Sequence, residues 1–133
     1  MSKTAKRLVG DWGEDLAAGF LQEQGYRITG RNYEVIILGK KAGEIDIIAW
    51  HKKKHFGNTL CFIEVKTRGA DDGNAERATG AKKMKRLLCA ARQYCLEQAI
   101  DIERTPIQFE QVSIYGRAGE ARPAVRHYVI PVD

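Results

Sequence analysis

Two short segments hold charged residues where the surrounding pattern asks for a core. Glu64 and Lys66 lie in Phe62-Ile63-Glu64-Val65-Lys66-Thr67-Arg68, and Asp46 lies in Glu44-Ile45-Asp46-Ile47-Ile48-Ala49-Trp50. Both segments read as strands, where ionised groups beside apolar neighbours are costly unless something pairs or uses them. Side chains alternate along a strand. Glu64 and Lys66 therefore share a face with Leu60, Phe62 and Arg68, and Asp46 shares one with Glu44, Ile48 and Trp50. If the strands pair with Asp46 beside Glu64, two carboxylates converge next to an ammonium. Oxygen ligands of this kind suit Mg²⁺ or Mn²⁺, and Mg²⁺ keeps several waters while taking one or two carboxylates and a substrate phosphate. Such an ion supplies a hydroxide-like nucleophile and offsets charge developing on phosphorus. Lys66 would position the attacking water or stabilise the transition state. A half-buried Asp–Lys–Glu ion cluster with no metal fits the same spacing.

Charge distribution bears on the choice. The chain has 133 residues and a net charge of +5. Residues 1–48 hold seven basic and seven acidic side chains, residues 49–97 eleven and five, and residues 98–133 four and five. The excess is concentrated in the middle third, around the charged strands, which fits a polyanionic partner such as nucleic acid. A cationic surface that merely aids solubility explains the same excess equally well.

The remaining elements must hold these strands in place. The length is that of one domain, and a single domain over residues 1–133 is expected. Leu8, Trp12, Leu16 and Phe20 recur every four residues and predict an amphipathic helix from Thr4 to Gln24, stopped by Gly25. Glu14 lies off that stripe, among Gly10, Ala17, Ala18 and Leu21, a side that another element could approach closely. Tyr26 to Ile37 reads as extended, Gly39 to Gly43 as a turn, Glu44 to Trp50 as a strand, and His51 to Thr59 as a basic hairpin connection to Leu60–Arg68. A loop of small and polar residues spans Gly69 to Gly80. A second helix covers Ala81 to Ala99, with Met84, Leu87, Leu88, Ala91 and Cys95 on one face and Lys82, Lys83, Lys85, Arg86 and Arg92 on the other. Strands at Ile107–Tyr115 and Ala124–Ile130 complete the order α-β-β-β-α-β-β. The fold class is α/β, a mixed central sheet flanked by helices.

The segments GEIDIIAW and CFIEVKTR, with Gly10-Asp11-Trp12-Gly13-Glu14-Asp15-Leu16-Ala17, GYRITGRNY and the lysine-bearing second helix, resemble the YraN-like uncharacterised proteins. These belong to the PD-(D/E)xK nuclease superfamily and are similar to archaeal Holliday-junction resolvases. The resemblance covers most of the chain and implies a restriction-endonuclease-like core. It implies that Asp46 and Glu64 bind metal, that the carbonyl of Val65 is a further ligand, that Lys66 is the catalytic lysine, and that Glu14 is the helix-borne acid. It implies DNA, branched or structured, as partner and a homodimer as assembly. The connections at Glu34–Ala42 and His51–Thr59 are longer than that family suggests. Gln108-Phe109-Glu110 stands where relatives tend to show Arg-Phe-Asp, which leaves the role of that acid open. A protein with the same fold that binds nucleic acid without cutting it is the other functional reading.

Arg68, Lys82, Lys83, Lys85 and Arg86 are the expected phosphate contacts, which position nucleic acid without reading its sequence. His51 and His55 flank three lysines and point to a solvated or phosphate-touching turn rather than a zinc site. Asp71 and Asp72 are minor candidates for extra ligands. Cys61, Cys89 and Cys95 form no C-x-x-C pair and are expected to be reduced. No apolar run is long enough to span a bilayer, no apolar leader opens the chain, and a cytoplasmic location is expected.

Overall fold

A computed structural model describes residues 5–68, 80–117, 119 and 121–132. Helix α1 (Ala5–Glu23) leads into strands β1 (Arg27–Ile37), β2 (Lys40–Lys53) and β3 (Gly57–Arg68). Helix α2 (Ala81–Glu97) follows, then β4 (Ile107–Tyr115) and β5 (Ala124–Ile130). The five strands lie in the order β1-β2-β3-β4-β5. β3 and β4 run parallel and the other neighbours antiparallel. A parallel pair needs a long crossover, and α2 lies within it.

Each helix covers one face of the sheet. α1 packs on β3 and β4, and α2 on β2 and β1. On the α1 side, Ala17, Ala18 and Leu21 meet Ile47, Ala49, Cys61, Ile63, Val112 and Ile114, with Trp12, Leu16 and Phe20 packed alongside. On the α2 side, Leu87, Ala90, Ala91, Tyr94 and Cys95 meet Ile45, Ile48, Leu60, Phe62 and Phe109. β3 lies between these layers and is buried on both faces, which accounts for its near-continuous apolar run. Leu88, expected on the apolar face of α2, is exposed because that face turns toward Ala90 and Tyr94 instead. Gly25 (φ +90°) ends α1, with the Tyr26 amide donating back to the Leu21 carbonyl at 3.0 Å. Cys61, Cys89 and Cys95 are free thiols. No described helix is long and apolar enough to cross a membrane.

Two connections differ from expectation. The turn between β1 and β2 is Leu38-Gly39, not Gly39–Gly43; Ile37 pairs with Lys40 across it, and both turn residues have positive φ (51° and 77°). This is the backbone of a two-residue hairpin turn whose twist matches the strands. Gly43 lies within β2, where a Cβ would come within 2.5 Å of the Arg86 carbonyl oxygen. It permits α2 to approach. Likewise β2 and β3 extend to Lys53 and from Gly57, leaving a turn of three residues rather than the span His51–Thr59.

Candidate active site

The sheet opens where the charges lie. β2 and β3 pair from Lys53/Gly57 to Ile47/Ile63 and no further, so Asp46 and Glu64 fall at the next position of the register. There Asp46 turns its carboxylate onto β3, accepting from the Val65 amide at 2.8 Å. β2 leaves β3 at this point and continues with β1 alone, while β3 runs on beside β4 to Arg68. Strict alternation also breaks here. Ile45 and Ile48 pack on the α2 side and Ile47 on the α1 side. The partner strand accommodates the break at Asn32, which has φ +54°. Asparagine tolerates that left-handed conformation better than most side chains.

The divergence makes two adjoining hollows, of about 190 and 540 Å³, which share Glu44, Asp46 and Lys83. Glu64 lines the smaller, and Glu14, Val65, Lys66 and Arg68 line the larger. The cleft thus gathers all four expected catalytic residues. Five carboxylates (Asp11, Glu14, Glu44, Asp46, Glu64) and five cations (Lys41, Lys66, Arg68, Lys83, Arg86) line it together.

Each group is held differently. Glu64 is buried; Lys83 pairs with its Oε1, and its Oε2 has no hydrogen-bond partner. Asp46 is pushed up to about 7, chiefly by burial; the Val65 amide opposes this, and the charges of Glu14, Glu64 and Glu44 add to it. Burial also raises Glu14, although Arg31 pairs with it at 3.1 Å and Asn32 hydrogen-bonds it. The same guanidinium reaches Asp15 at 2.8 Å and so ties α1 to β1. α1 comes close enough for this because residue 13 is glycine; a Cβ there would sit 2.0 Å from Thr67 Oγ1. Lys66 is buried, and its ammonium is lowered from the usual lysine value, first by burial and then by the charge of Lys83, against the pull of Glu64. Beside Glu64 and Lys66, β4 contributes buried Gln111 and Ser113, joined by a 2.8 Å hydrogen bond.

Among the described residues, no three His, Cys, Asp or Glu side chains are arranged to enclose a metal ion. The donor set nevertheless fits a hard cation that keeps water in its shell, since Asp46 and Glu64 offer carboxylate oxygens and one of these is buried and unpartnered. Val65 lines the cleft, with its amide engaged by Asp46.

Of the expected phosphate contacts, Lys83 and Arg86 line the cleft with Arg68, and Lys82 and Lys85 are exposed on the first turns of α2. Asp71 and Asp72 lie outside the described residues. Glu110 does not line the cleft. It is fully buried on the α1 side, accepting from Tyr26 Oη (2.7 Å), bonded to His127 Nε2 (2.5 Å) and paired with Lys53 (3.3 Å). Burial alone would raise its pKa, but these partners and Cys61 outweigh it and hold the carboxyl at about 2. His51 stacks on Tyr26, ring centroids 3.9 Å apart, and meets the Gln24 carbonyl, so it and exposed His55 are not paired for zinc. Arg31, Asn32 and the direct Lys83–Glu64 contact were not anticipated; Asn32 within an otherwise extended run was the available signal.

The mixed sheet, the helix in the β3–β4 crossover and the acid–lysine row at the divergence define an α/β protein with a restriction-endonuclease-like core. The chain belongs to the uncharacterised protein family UPF0102, the YraN-like proteins, whose model matches residues 13–114. It is 39% identical over 127 residues to a UPF0102 protein of Syntrophotalea carbinolica, covering 94% of this chain and 92% of that one. It is 39% identical over 112 residues to a UPF0102 protein of Chlorobium phaeobacteroides (84% and 79%) and 36% identical over 124 residues to one of an Arthrobacter species (92% and 94%).

Proposed function

We propose that this chain is a nuclease dependent on Mg²⁺ or Mn²⁺ that hydrolyses phosphodiester bonds in DNA, with branched or otherwise structured DNA as its substrate class. The observation that carries this reading is the pairing of a buried, unpartnered Glu64 Oε2 with an Asp46 driven toward neutrality by burial and neighbouring carboxylates. A divalent cation answers both costs at once. Asp46, Glu64 and the Val65 carbonyl would hold it, and it would supply an acidified water and charge stabilisation at phosphorus.

The chain's own groups do the rest. Lys66, held in the cleft with its ammonium lowered from the usual lysine value by burial and by Lys83, would place a donor beside the reacting phosphate. Glu14, fixed by Arg31 and lining the same hollow as Lys66, would hold a proton or a water there. Lys83 and Arg86 continue the cleft into the basic face of α2, where Lys82 and Lys85 extend the path for a phosphate backbone. A homodimer would present two such clefts to a branched substrate.

The second reading, nucleic-acid binding without hydrolysis, rests on Lys83, which already neutralises one oxygen of Glu64. A gel assay on branched, flapped, single-stranded and duplex DNA, with Mn²⁺ or EDTA, separates the two. Hydrolysis requires metal-dependent cuts that vanish in Asp46→Asn and Glu64→Gln. Binding without cuts on every substrate supports the second reading.

A further inference from the structure

The β1–β2 ribbon outruns the rest of the sheet. From Lys40 to Asp46, β2 is paired with β1 on one edge and with no described strand on the other. A bulge between Val35 and Ile36 re-aims its end, and the tip then exposes three large apolar side chains in succession: Ile36 (56% exposed), Ile37 (53%) and Leu38 (98%). Leu38 also occupies a left-handed turn position (φ +51°) that asparagine or glycine would fill without strain. Neither the strain nor the exposure stabilises the fold, since these side chains cover no core. Runs of exposed apolar residues on a soluble surface mark contact sites.

The surroundings indicate what is contacted. Lys40 and Lys41 flank the tip, and Lys41 reaches both Glu34 (3.2 Å) and Glu44 (2.5 Å) while lining the cleft with Asp46 and Glu64. Arg86, on the α2 side of the ribbon, donates to the Lys41 carbonyl at 3.5 Å. The tip is therefore apolar, bordered by exposed Lys40 and by Arg86, with Lys41 balanced by Glu34 and Glu44, and it continues through Lys41 into the cleft. A polyanion that also exposes apolar faces matches that surface: a nucleic acid with unstacked bases. Apolar wedges inserted at base steps unstack them and hold the opened form. Resting on the function proposed above, we propose that the Ile36–Leu38 tip is a nucleobase-binding wedge that selects DNA where a duplex opens, at a fork, flap or branch.

The test is a binding experiment in Ca²⁺ buffer, independent of cleavage. Fluorescence anisotropy compares a forked duplex with a fully paired one for the wild-type chain and for Ile36→Thr/Ile37→Thr/Leu38→Asn. Asparagine suits the turn, and thermal unfolding should show that the variant is at least as stable. The wild type should prefer the fork by about tenfold, and the variant should lose about tenfold on the fork while its duplex affinity moves less than about twofold. A fluorescent adenine analogue at the fork should brighten with the wild type alone. Equal fork affinity in wild type and variant overturns the proposal, as does a wild type that binds fork and duplex alike. A wild-type dimer that becomes monomeric in the variant at unchanged fork affinity overturns it in favour of a second copy. Loss of binding to phosphatidylserine vesicles with unchanged fork affinity overturns it in favour of a membrane. An intact fork preference without cleavage of any substrate upholds the wedge and removes only the hydrolytic reading.

Discussion

Replacing Asp46 with asparagine removes a charge and keeps an acceptor for the Val65 amide. In the fold the Asp46 carboxyl rests at about 7, against an ordinary 3.8. Between about pH 4 and 7 the native chain keeps a proton that the unfolded chain has lost, so this residue lowers stability as pH rises. The penalty is complete above about pH 8, and at about 1.4 kcal/mol for each pH unit it reaches about 4 kcal/mol. Water entering the open cleft reduces it, so Asp46→Asn should be more stable than the wild type by about 2–4 kcal/mol at pH 8. Urea unfolding in EDTA at pH 8 and at pH 4.5 measures this directly, with the gap closing at the lower pH. Mn²⁺ should narrow or close the gap, because an ion at a hundred times its dissociation constant adds about 2.7 kcal/mol to the wild type and little to the variant. A variant no more stable than the wild type at pH 8, or a gap that ignores pH, would show that Asp46 carries no such burial penalty.

Lys83→Ala should bind Mn²⁺ about 2–5-fold more tightly by calorimetry, since it frees a Glu64 oxygen from an ion pair, and should bind DNA more weakly. Gly43→Ala should cost about 1–3 kcal/mol in chemical denaturation, because the added methyl meets backbone of α2 that side-chain rotation cannot clear. Glu110→Gln should cost about 3–5 kcal/mol at pH 7 by leaving Lys53 and His127 without their anion. Its folded carboxyl lies below its unfolded value, so its stabilisation is full above about pH 5 and is lost as pH falls toward 2. The urea midpoints of wild type and Glu110→Gln should therefore converge in acid.

The elements were legible because their signals are local. The four-residue stripe of α1, the apolar run of β3 and the glycine after α1 each state their structure within a few residues. Hairpin pairing leaves Asp46 beside Glu64 as a condition on the register, and the last pair, Ile47 with Ile63, puts the two acids at the next position. Less legible were features set by distant packing. Gly43 looked like the far end of a turn, but it is glycine because α2 lies against it. Leu38 gave no turn signal, since leucine seldom adopts the left-handed conformation it has here. A period of two carries no sign of the switch of faces along β2, where Ile45 and Ile47 pack on opposite sides of the sheet. The lysine face of α2 suggests a phosphate contact at Lys83; its reach to Glu64 depends on how α2 crosses the sheet. Glu110 stands where relatives tend to show the acid of an Arg-Phe-Asp element, and its partner Tyr26, buried with it on the α1 side, is 84 residues away in sequence.

A calorimetric titration of Mn²⁺ into the wild type, Asp46→Asn and Glu64→Gln tests whether Asp46 and Glu64 form a divalent-cation site. The wild type should bind about one ion per cleft, more tightly at pH 8 than at pH 6 because the ion displaces the Asp46 proton, and neither variant should bind. Unchanged binding in both variants would place the ion elsewhere on the chain.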